Sequence, residues 1–407
     1  MEAHEKNKFQ WSQLLTVEFW ASVAFFLGLV LNDTIGDVPG LNMISKGLIL
    51  VFMVLSAFLV IAKNVHIPLI FSMLLVTNLV WWMCSCLWSP GSTAFVSTLA
   101  QNILLCFLTF LFFVHHKNYD ILFYAMFFSG IALAVYSIAV FGIEGFMETL
   151  KADERIGEGI TNANTFGKVF SYGIVSGFYL IFFKRQWLCS IGCVLFLLFA
   201  LSSGSKKSIL IILIGAAVLL FFKYGFKYPI RMILGAAAVL VILYGTLQLP
   251  LFSVANERFF GFIGGEQDYG DRLREQMIER GIEMFLQKPI TGWGIIAFQI
   301  VSGFHNYSHN NYIELLANYG MIGFGLFYSL YGYSVFGGLV KKACRDKIPV
   351  VVAMITIIIS VLITDWGIVS YGIKWNWMVI GVAAAMAYGL NKGNRLISGG
   401  LNDKIIS

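Results

Sequence analysis

The chain has 407 residues, a mean hydropathy of +0.79, 58% hydrophobic residues and only 12% charged residues. A soluble globular protein carries about 25% charged residues, and half that fraction does not cover the surface of a soluble fold of this size. The abundance of Phe, Leu, Ile and Val excludes a disordered chain, and six cysteines spread over the whole length exclude a secreted disulfide scaffold. The composition therefore indicates a polytopic membrane protein.

The net charge of +6 would suggest nucleic-acid binding in a soluble protein. In a membrane protein, basic loops on the cytoplasmic face set the topology, and this explains the excess of Lys and Arg. We therefore expect the lipid bilayer as a partner and no nucleic acid.

Runs of about 20 mostly apolar residues, bounded by charge, Pro or Gly, predict transmembrane helices. About twelve such runs predict an all-α polytopic membrane protein in which residues 1–407 form a single integral membrane domain. The predicted spans are 15–31, 47–62, 68–88, 93–114, 121–142, 167–183, 187–202, 207–222, 229–247, 312–339, 348–364 and 375–391.

The distribution of Lys and Arg between the loops predicts the orientation of the chain. With both termini in the cytoplasm, most basic residues fall on the inner side, and two long segments, 143–166 and 248–311, fall outside. Loops of this length usually carry function or disorder, so we expect any chemistry on the outer face. The short outer loops hold only Lys46, Lys206, Lys207 and Lys374.

Lys206 and Lys207 lie in the run SSGSKKS, between two predicted spans and on the side that otherwise avoids basic residues. A Ser- and Gly-rich turn that opens a helix presents free backbone N–H groups and a positive dipole end, which suit a phosphate. The run lacks the full P-loop pattern, so a nucleotide is not expected. The two lysines either form an anion site or extend to lipid headgroups.

Residues 272–288 of the second long loop predict an amphipathic helix, because apolar and polar side chains fall on opposite faces. Such a helix lies on the outer membrane surface or on the helix bundle. Arg274 falls in the middle of the apolar face, whereas Arg272 falls on the polar face. Arg274 either binds a phosphate through two guanidinium N–H groups, or extends to solvent or pairs with a neighbouring Glu.

His305 and His309 lie in the run HNYSHNNYIE, just before a predicted span. Asn311 followed three residues later by Glu314 predicts a capping box at the start of this helix. The positive helix end lowers the pKa of a histidine and favours the neutral imidazole, which accepts a proton. His309 is either such a base or an interfacial histidine bonded to the backbone. No HExxH motif or Cys partner accompanies the two histidines, so we expect neither a metal nor a cofactor.

The run RIGEGITNANTFGK, residues 155–168, leads into the sixth predicted span. The amides of Asn162 and Asn164 can hydrogen-bond a hydroxyl-rich ligand. An ordinary polar turn is the alternative, because Gly and Asn also supply turn geometry.

Together these segments resemble the O-antigen polymerase and O-antigen ligase superfamily of bacterial envelope glycosyltransferases, over about residues 155–325. Lys206 stands where the family usually has an arginine, and a lysine lacks the bidentate fork of a guanidinium. The resemblance rests on the Gly/Asn turn, on the run GSKK, on Arg274 followed by Phe285, Pro289 and Gly292-Trp293-Gly294, and on His309-Asn310 followed by Tyr312, Glu314, Leu315, Tyr319, Gly320 and Gly323.

The resemblance implies a multi-span glycosyltransferase with a large outer loop that carries short amphipathic helices. It implies inverting, metal-independent transfer of a glycan from undecaprenyl diphosphate to a sugar hydroxyl, on the outer face of the cytoplasmic (inner) membrane. His309 and Arg274 are then the catalytic residues: Arg274 holds the diphosphate together with Lys206, and His309 assists the acceptor hydroxyl. The expected substrate-binding residues are Lys206, Lys207, Arg272, Asn162, Asn164, His305 and Asn310.

Three functions remain open. The first is a polymerase of O-antigen or capsule-like repeat units, which uses an undecaprenyl-diphosphate-linked oligosaccharide as donor and acceptor, with a flippase and a chain-length regulator as partners. The second is an O-antigen ligase that transfers the glycan to lipid A-core. The third is a polysaccharide transporter or flippase, which would predict charged spans near the midplane and repeat symmetry between the two halves.

Overall fold

A computed structural model describes residues 39–62, 67–151, 163–265 and 269–391, together with residues 20, 22–25 and 28–29. Within these ranges the chain forms helices and connecting turns and no β-strand, which confirms the all-α prediction. The helices are α1 (Pro39–Ala62), α2 (Leu69–Ser85), α3 (Phe95–His116), α4 (Asp120–Lys151), α5 (Ala163–Lys184), α6 (Cys189–Ser202), α7 (Lys206–Tyr224), α8 (Pro229–Leu247), α9 (Ser253–Ile263), α10 (Tyr269–Gln287), α11 (Ala297–Val301), α12 (Asn311–Ser334), α13 (Val340–Arg345), α14 (Pro349–Thr364) and α15 (Lys374–Asn391).

Six helices of the described chain are long and apolar enough to cross a membrane. Shorter apolar helices accompany them, and the chain is a multi-pass membrane protein. The first predicted span, 15–31, falls mostly outside the described residues, whereas each of the others overlaps a described helix; the count of twelve spans stays a prediction. The six are Phe95–His116, Asp120–Val140, Ala163–Lys184, Lys206–Tyr224, Pro229–Leu247 and Asn311–Arg345.

The two long segments between the spans contain more helix than a loop assignment implies. In the first, 143–166, α4 continues to Lys151 beyond a break at Gly142, where φ is 68° and ψ is 167°, and α5 already begins at Ala163. The second segment, 248–311, contains α9, α10 and α11, and α10 coincides with the amphipathic helix expected at 272–288. This helix carries Arg274 towards the start of α12.

The core of the bundle forms where α15 packs against α3 and α12. Gly381 of α15 allows a close approach to α3, because a Cβ at this position would lie 2.6 Å from the carbonyl oxygen of Cys106. Trp377 of α15 and Trp82 of α2 meet edge to face with ring centroids 5.6 Å apart, and both are fully buried. Aromatic pairs of this geometry add about 0.5–1.5 kcal/mol beyond their buried area. This packing fixes the relative positions of α2, α3, α12 and α15, which support the candidate site.

Candidate active site

A cavity of about 450 Å³ lies among α5, the start of α7, the segment before α12 and the loop between α14 and α15. Both polar and apolar side chains line it, as in ligand-binding pockets generally. The polar side chains on its wall are Ser129, Asn164, Thr165, Lys168, Tyr172, Lys207, Gln299, Tyr307, His309, Glu314 and Tyr371.

Helix α5 is held tightly against the turn between α6 and α7, and this contact places Lys207 on the wall of the cavity. A Cβ at Gly167 would lie 2.2 Å from Ser203 Oγ and 2.3 Å from Ser208 Oγ, so only glycine fits here without a shift of these hydroxyls. Ser171, one turn along α5, donates its hydroxyl to the carbonyl oxygen of Ser208 at 3.0 Å. Two small-residue contacts therefore fix the first turn of α7 against α5.

Lys206 and Arg274 converge on one carboxylate. The Nζ atom of Lys206 lies 2.6 Å from Oδ2 of Asp271, and an NH1 atom of Arg274 lies 3.0 Å from Oδ1 of the same residue. Asp271 stands in the first turn of α10, three residues before Arg274, and Phe262 of α9 covers the lysine with its ring centroid 5.4 Å from Nζ. The neighbour that pairs with Arg274 is therefore an aspartate on its own helix, and we call these three residues the Lys206–Asp271–Arg274 cluster.

Lys207 turns towards the protein interior. Its ammonium group donates a hydrogen bond to the carbonyl oxygen of Gly367, in the loop between α14 and α15, and its side chain lines the cavity. This loop in turn is bound to the start of α12, since Asn311 accepts the N–H groups of Ser370 and Tyr371 at 2.8 Å and 3.0 Å. The lysine is thus held by the same framework as the segment that carries His309.

The backbone on both sides of His309 is locked by buried hydrogen bonds. The N–H of Ser308 donates to the Glu314 carboxylate at 2.7 Å, and the Ser308 hydroxyl donates to the carbonyl oxygen of Asn310 at 2.8 Å. Oδ1 of Asn310 accepts the N–H groups of Tyr312 and Ile313 at 3.0 Å and 3.1 Å, which makes Asn310 the N-cap of α12. Asn310, not Asn311, is therefore the cap, and the predicted capping box is wrong: Ile313 is the third residue after the cap, and the Glu314 carboxylate accepts the N–H of Ser308, not that of the cap.

Asn311 is free to take another role because Asn310 caps the helix. It is fully buried, and its Nδ2 donates to the Asp365 carboxylate at 3.2 Å and to the Tyr328 hydroxyl at 2.9 Å. A buried amide with all of its groups bonded is what the low-dielectric interior requires. Asn311 therefore joins α12 to the loop that carries Gly367.

His309 itself has φ of 58°, in the left-handed region that non-glycine residues seldom adopt. Such a conformation costs about 1–3 kcal/mol and persists only where the surroundings impose it, which is typical of functional sites. The imidazole lines the cavity beside Tyr307, with ring centroids 4.3 Å apart. Burial, followed by the positive charges of Arg274 and Lys207, lowers the pKa of His309 to about 4. The ring is therefore neutral at pH 7 and accepts a proton or a hydrogen bond.

Helix α10 is bound to α12 by the chain that follows it, so Arg274 and His309 have a fixed relation. Backbone N–H groups of Trp293 and Gly294 donate to the carbonyl oxygens of Ala317 and Asn318 at 3.0 Å and 2.7 Å. Gly320 breaks the helical conformation of α12 here with φ of 65°, and a Cβ at this position would lie 2.2 Å from a carbonyl oxygen of the same crossing. The motif Gly-Trp-Gly thus serves to lock two helices together.

The sequence-predicted site residues do not all lie in one place in the structure. Asn164, Lys207 and His309 line the cavity, while Lys206 and Arg274 form the cluster with Asp271 beside it. Asn310 is fully buried as the helix cap, and among the described residues its Nδ2 has no hydrogen-bond partner. Arg272 and His305 are exposed and are not among the residues that line the cavity, and Asn162 lies outside the described residues.

The polar residues on the cavity wall that the sequence reasoning does not single out include Lys168, Gln299 and Tyr307. Lys168 carries the clearest signal, because it is a charge inside the predicted span 167–183. Gln299 and Tyr307 have no such signal, since polar residues are ordinary in a long loop. In the described part of the chain, no three His, Cys, Asp or Glu side chains come together as a metal site.

Part of the chain matches a known protein family. The model of the family described as O-Antigen ligase matches residues 191–328, about a third of the chain, from α6 to the middle of α12. The matched region contains Lys206, Lys207, Asp271, Arg274 and His309. A search of curated proteins with the chain gave no match. Residues 191–328 match the O-antigen ligase family, this match supports the resemblance to the O-antigen polymerase and ligase superfamily, and the chain is a multi-pass membrane protein.

Proposed function

We propose that the protein polymerises lipid-linked oligosaccharide repeat units, by inverting and metal-independent transfer of a glycan from undecaprenyl diphosphate on the outer face of the cytoplasmic membrane. The observation that carries the proposal is that His309, on the cavity wall, lies within the electrostatic reach of Arg274 and Lys207. A neutral base beside fixed cations is what displacement of a diphosphate by a sugar hydroxyl requires.

The reaction follows from this arrangement. His309 takes the proton of the acceptor hydroxyl, whose oxygen forms a bond to the anomeric carbon from the face opposite the diphosphate. The bond between that carbon and the diphosphate oxygen breaks, and its electron pair leaves with the diphosphate. Lys206, Lys207 and Arg274 stabilise the negative charge that develops on the leaving group, which in a site with little water is the largest contribution to catalysis.

The same arrangement serves the second candidate, an O-antigen ligase that transfers the finished glycan to lipid A-core. The family description favours it, since residues 191–328 match a model described as O-Antigen ligase. Both enzymes use the same donor class and differ in the acceptor. A flippase and a chain-length regulator would act before and beside a polymerase.

A deletion strain of the parent organism distinguishes the two. Loss of a polymerase leaves single repeat units on the acceptor, whereas loss of a ligase leaves full-length polymer on the lipid carrier. The strain is complemented with the wild-type chain and with R274Q and H309Q at equal membrane levels. We expect single repeat units in the deletion strain and in both variants; full-length polymer with either variant would contradict the proposal.

A further inference from the structure

A lysine that the proposed mechanism does not use lies on the wall of the cavity. Lys168 stands on α5 one turn after Asn164 and one turn before Tyr172, and all three side chains line the cavity. Residues four apart share one face of a helix, so this face of α5 is turned towards the cavity along at least two turns. The Lys168 Nζ atom lies 6.0 Å from the centroid of the Tyr172 ring.

The position of Lys168 is energetically costly. Only 9% of the residue is exposed, and it belongs to a helix that is long and apolar enough to cross a membrane. A lysine within such a helix is unfavourable, less so near the interface than at the bilayer centre, and Lys168 is the sixth residue of α5; such residues usually face a water-filled cavity and mark a substrate path. Lys168 does line a cavity, and this position favours a role in ligand binding.

The carboxylates near Lys168 are already held by neutral donors. The charge of Lys168 acts on Asp365, yet this carboxylate receives hydrogen bonds from Tyr328 at 3.0 Å and from Asn311 at 3.2 Å. Glu314 likewise accepts the N–H of Ser308 at 2.7 Å. Lys168 thus adds its positive charge to a carboxylate that neutral donors already bind, and its side chain also lines the cavity.

Lys168 is also separate from two of the three cations assigned to the leaving group, whereas the third, Lys207, lines the same cavity. Lys206 and Arg274 share the carboxylate of Asp271 and are not among the residues that line the cavity. Lys168 and Lys207 are the lysines that line it. The cavity therefore has a positively charged wall of its own, beside the Lys206–Asp271–Arg274 cluster.

We propose that Lys168 forms an anion-binding subsite on the α5 wall of the cavity, which takes an anionic oxygen of the lipid-linked substrate. This oxygen belongs either to the diphosphate or to the carboxylate of an acidic sugar in the glycan. The inference rests on the proposed function, because it assumes that the cavity receives the lipid-linked glycan.

Binding to the full-length protein in nanodiscs tests the inference with three probes. These are undecaprenyl diphosphate, trigalacturonate and the neutral sugar maltotriose. The variants are K168M and K168Q, which remove the charge, and K168R, which keeps it. K288M is the matched control, since Lys288 stacks on Trp293 with Nζ 3.9 Å from the ring centroid and is not among the cavity-lining residues.

We expect K168M and K168Q to lose about tenfold in affinity for one anionic probe, while K168R and K288M stay within a factor of about three, since hydrogen bonds to charged groups contribute about 1.5–3 kcal/mol. A loss confined to undecaprenyl diphosphate places the diphosphate at Lys168, and a loss confined to trigalacturonate places an acidic sugar there. Unchanged affinity for both anionic probes would overturn the inference, as would an equal loss for maltotriose. Failure of the wild-type protein to bind any probe would instead overturn the proposed function.

Discussion

Asp271 and Lys206 form an ion pair of 2.6 Å between α10 and α7, and the second oxygen of the same carboxylate binds Arg274 at 3.0 Å. A carboxylate that spans two cations presents the same charge and fork of oxygens as a phosphate. In the ligand-free protein, Asp271 thus pairs with the two cations, Lys206 and Arg274, that we assign to the diphosphate. Binding of the donor requires these ion pairs to open.

Replacing Asp271 with Asn should therefore strengthen the binding of undecaprenyl diphosphate. Ion pairs that are partly exposed contribute up to about 1 kcal/mol, so we expect a gain of about fivefold in affinity, measured by calorimetric titration in nanodiscs. D346N is the matched control, since Asp346 pairs with Lys342 at 2.8 Å on the surface, and its affinity should not change. A weaker affinity of D271N would show that Asp271 holds the cations in their binding geometry.

His309 is expected to act on the rate and not on donor binding. The H309Q variant should lower kcat by about 10²–10⁴-fold, the usual contribution of a general base, and leave the affinity for undecaprenyl diphosphate within about threefold. Turnover with a lipid-linked oligosaccharide and direct titration give the two quantities. H115Q, in the last turn of α3, is the control and should retain wild-type turnover. Wild-type turnover of H309Q would remove His309 from the mechanism.

The pH dependence follows from the charges around His309. Burial, Arg274 and Lys207 hold its pKa at about 4, so the base is neutral at pH 7 and becomes protonated only as the pH falls towards 4. Tyr307 and Glu314 also face this part of the cavity. We expect kcat/KM, which reports the free enzyme, to fall only as the pH approaches about 4.

Donor binding should move the acid limb of the pH–rate profile to a higher pH. The diphosphate offsets the positive charges of Arg274 and Lys207, and this raises the pKa of His309 in the complex. The acid limb of kcat should therefore lie at a higher pH than that of kcat/KM. Coincident limbs near pH 6.5 would contradict the structure, because they would indicate a histidine that these groups do not influence.

The variant G320A tests the close contact between α12 and the segment that follows α10. The φ of 65° at Gly320 and the 2.2 Å approach of a Cβ to the carbonyl oxygen of Ile290 make G320A strained and overpacked. We expect G320A to lower the free energy of unfolding by about 2 kcal/mol or more, seen as a lower Tm in detergent. G325A is the control on the same helix, since a Cβ there meets nothing within 4 Å, and its Tm should stay the same or rise slightly. Equal Tm values for the two variants would contradict the described crossing.

The N-cap of α12 gives a second test of how His309 is positioned. In N310A, the N–H groups of Tyr312 and Ile313 lose their acceptor, and the cost is about 0.5–2 kcal/mol. We expect a lower Tm together with a lower kcat, because the strained turn at His309 depends on this cap. Q287A changes an exposed residue at the end of α10 and should leave both quantities unchanged. A change in Tm with wild-type kcat would separate the cap from catalysis.

The sequence predicts those features that depend on local pattern. Hydrophobic runs predict the apolar helices that the structure describes. The helical periodicity of apolar and polar residues predicts α10, which spans Tyr269–Gln287. The helix start just after His309 is also a local signal, although the spacing of Asn311 and Glu314 predicts the wrong Asn as its cap. The structure decides for Asn310, whose oxygen bonds two N–H groups of α12.

The partners of the charged residues are not predictable in this way. Asp271 and Lys206 are far apart in the chain and meet only because α10 docks beside the start of α7. Lys168 belongs to the site because the face of α5 that bears it is turned towards a cavity, which hydropathy does not reveal. Tertiary packing, not local propensity, decides which charges share a site.

Glycosyl transfer by the purified protein tests the central claim most directly. The wild-type chain in nanodiscs is incubated with the undecaprenyl-diphosphate-linked oligosaccharide of the parent strain, and the glycan products are resolved by size. We expect a ladder of polymers and release of undecaprenyl diphosphate with the wild-type protein, and neither with H309Q or R274Q. A ladder formed equally by H309Q and R274Q would exclude the proposed mechanism, as would a wild-type protein that binds the donor and forms no glycosidic bond with donor or acceptor.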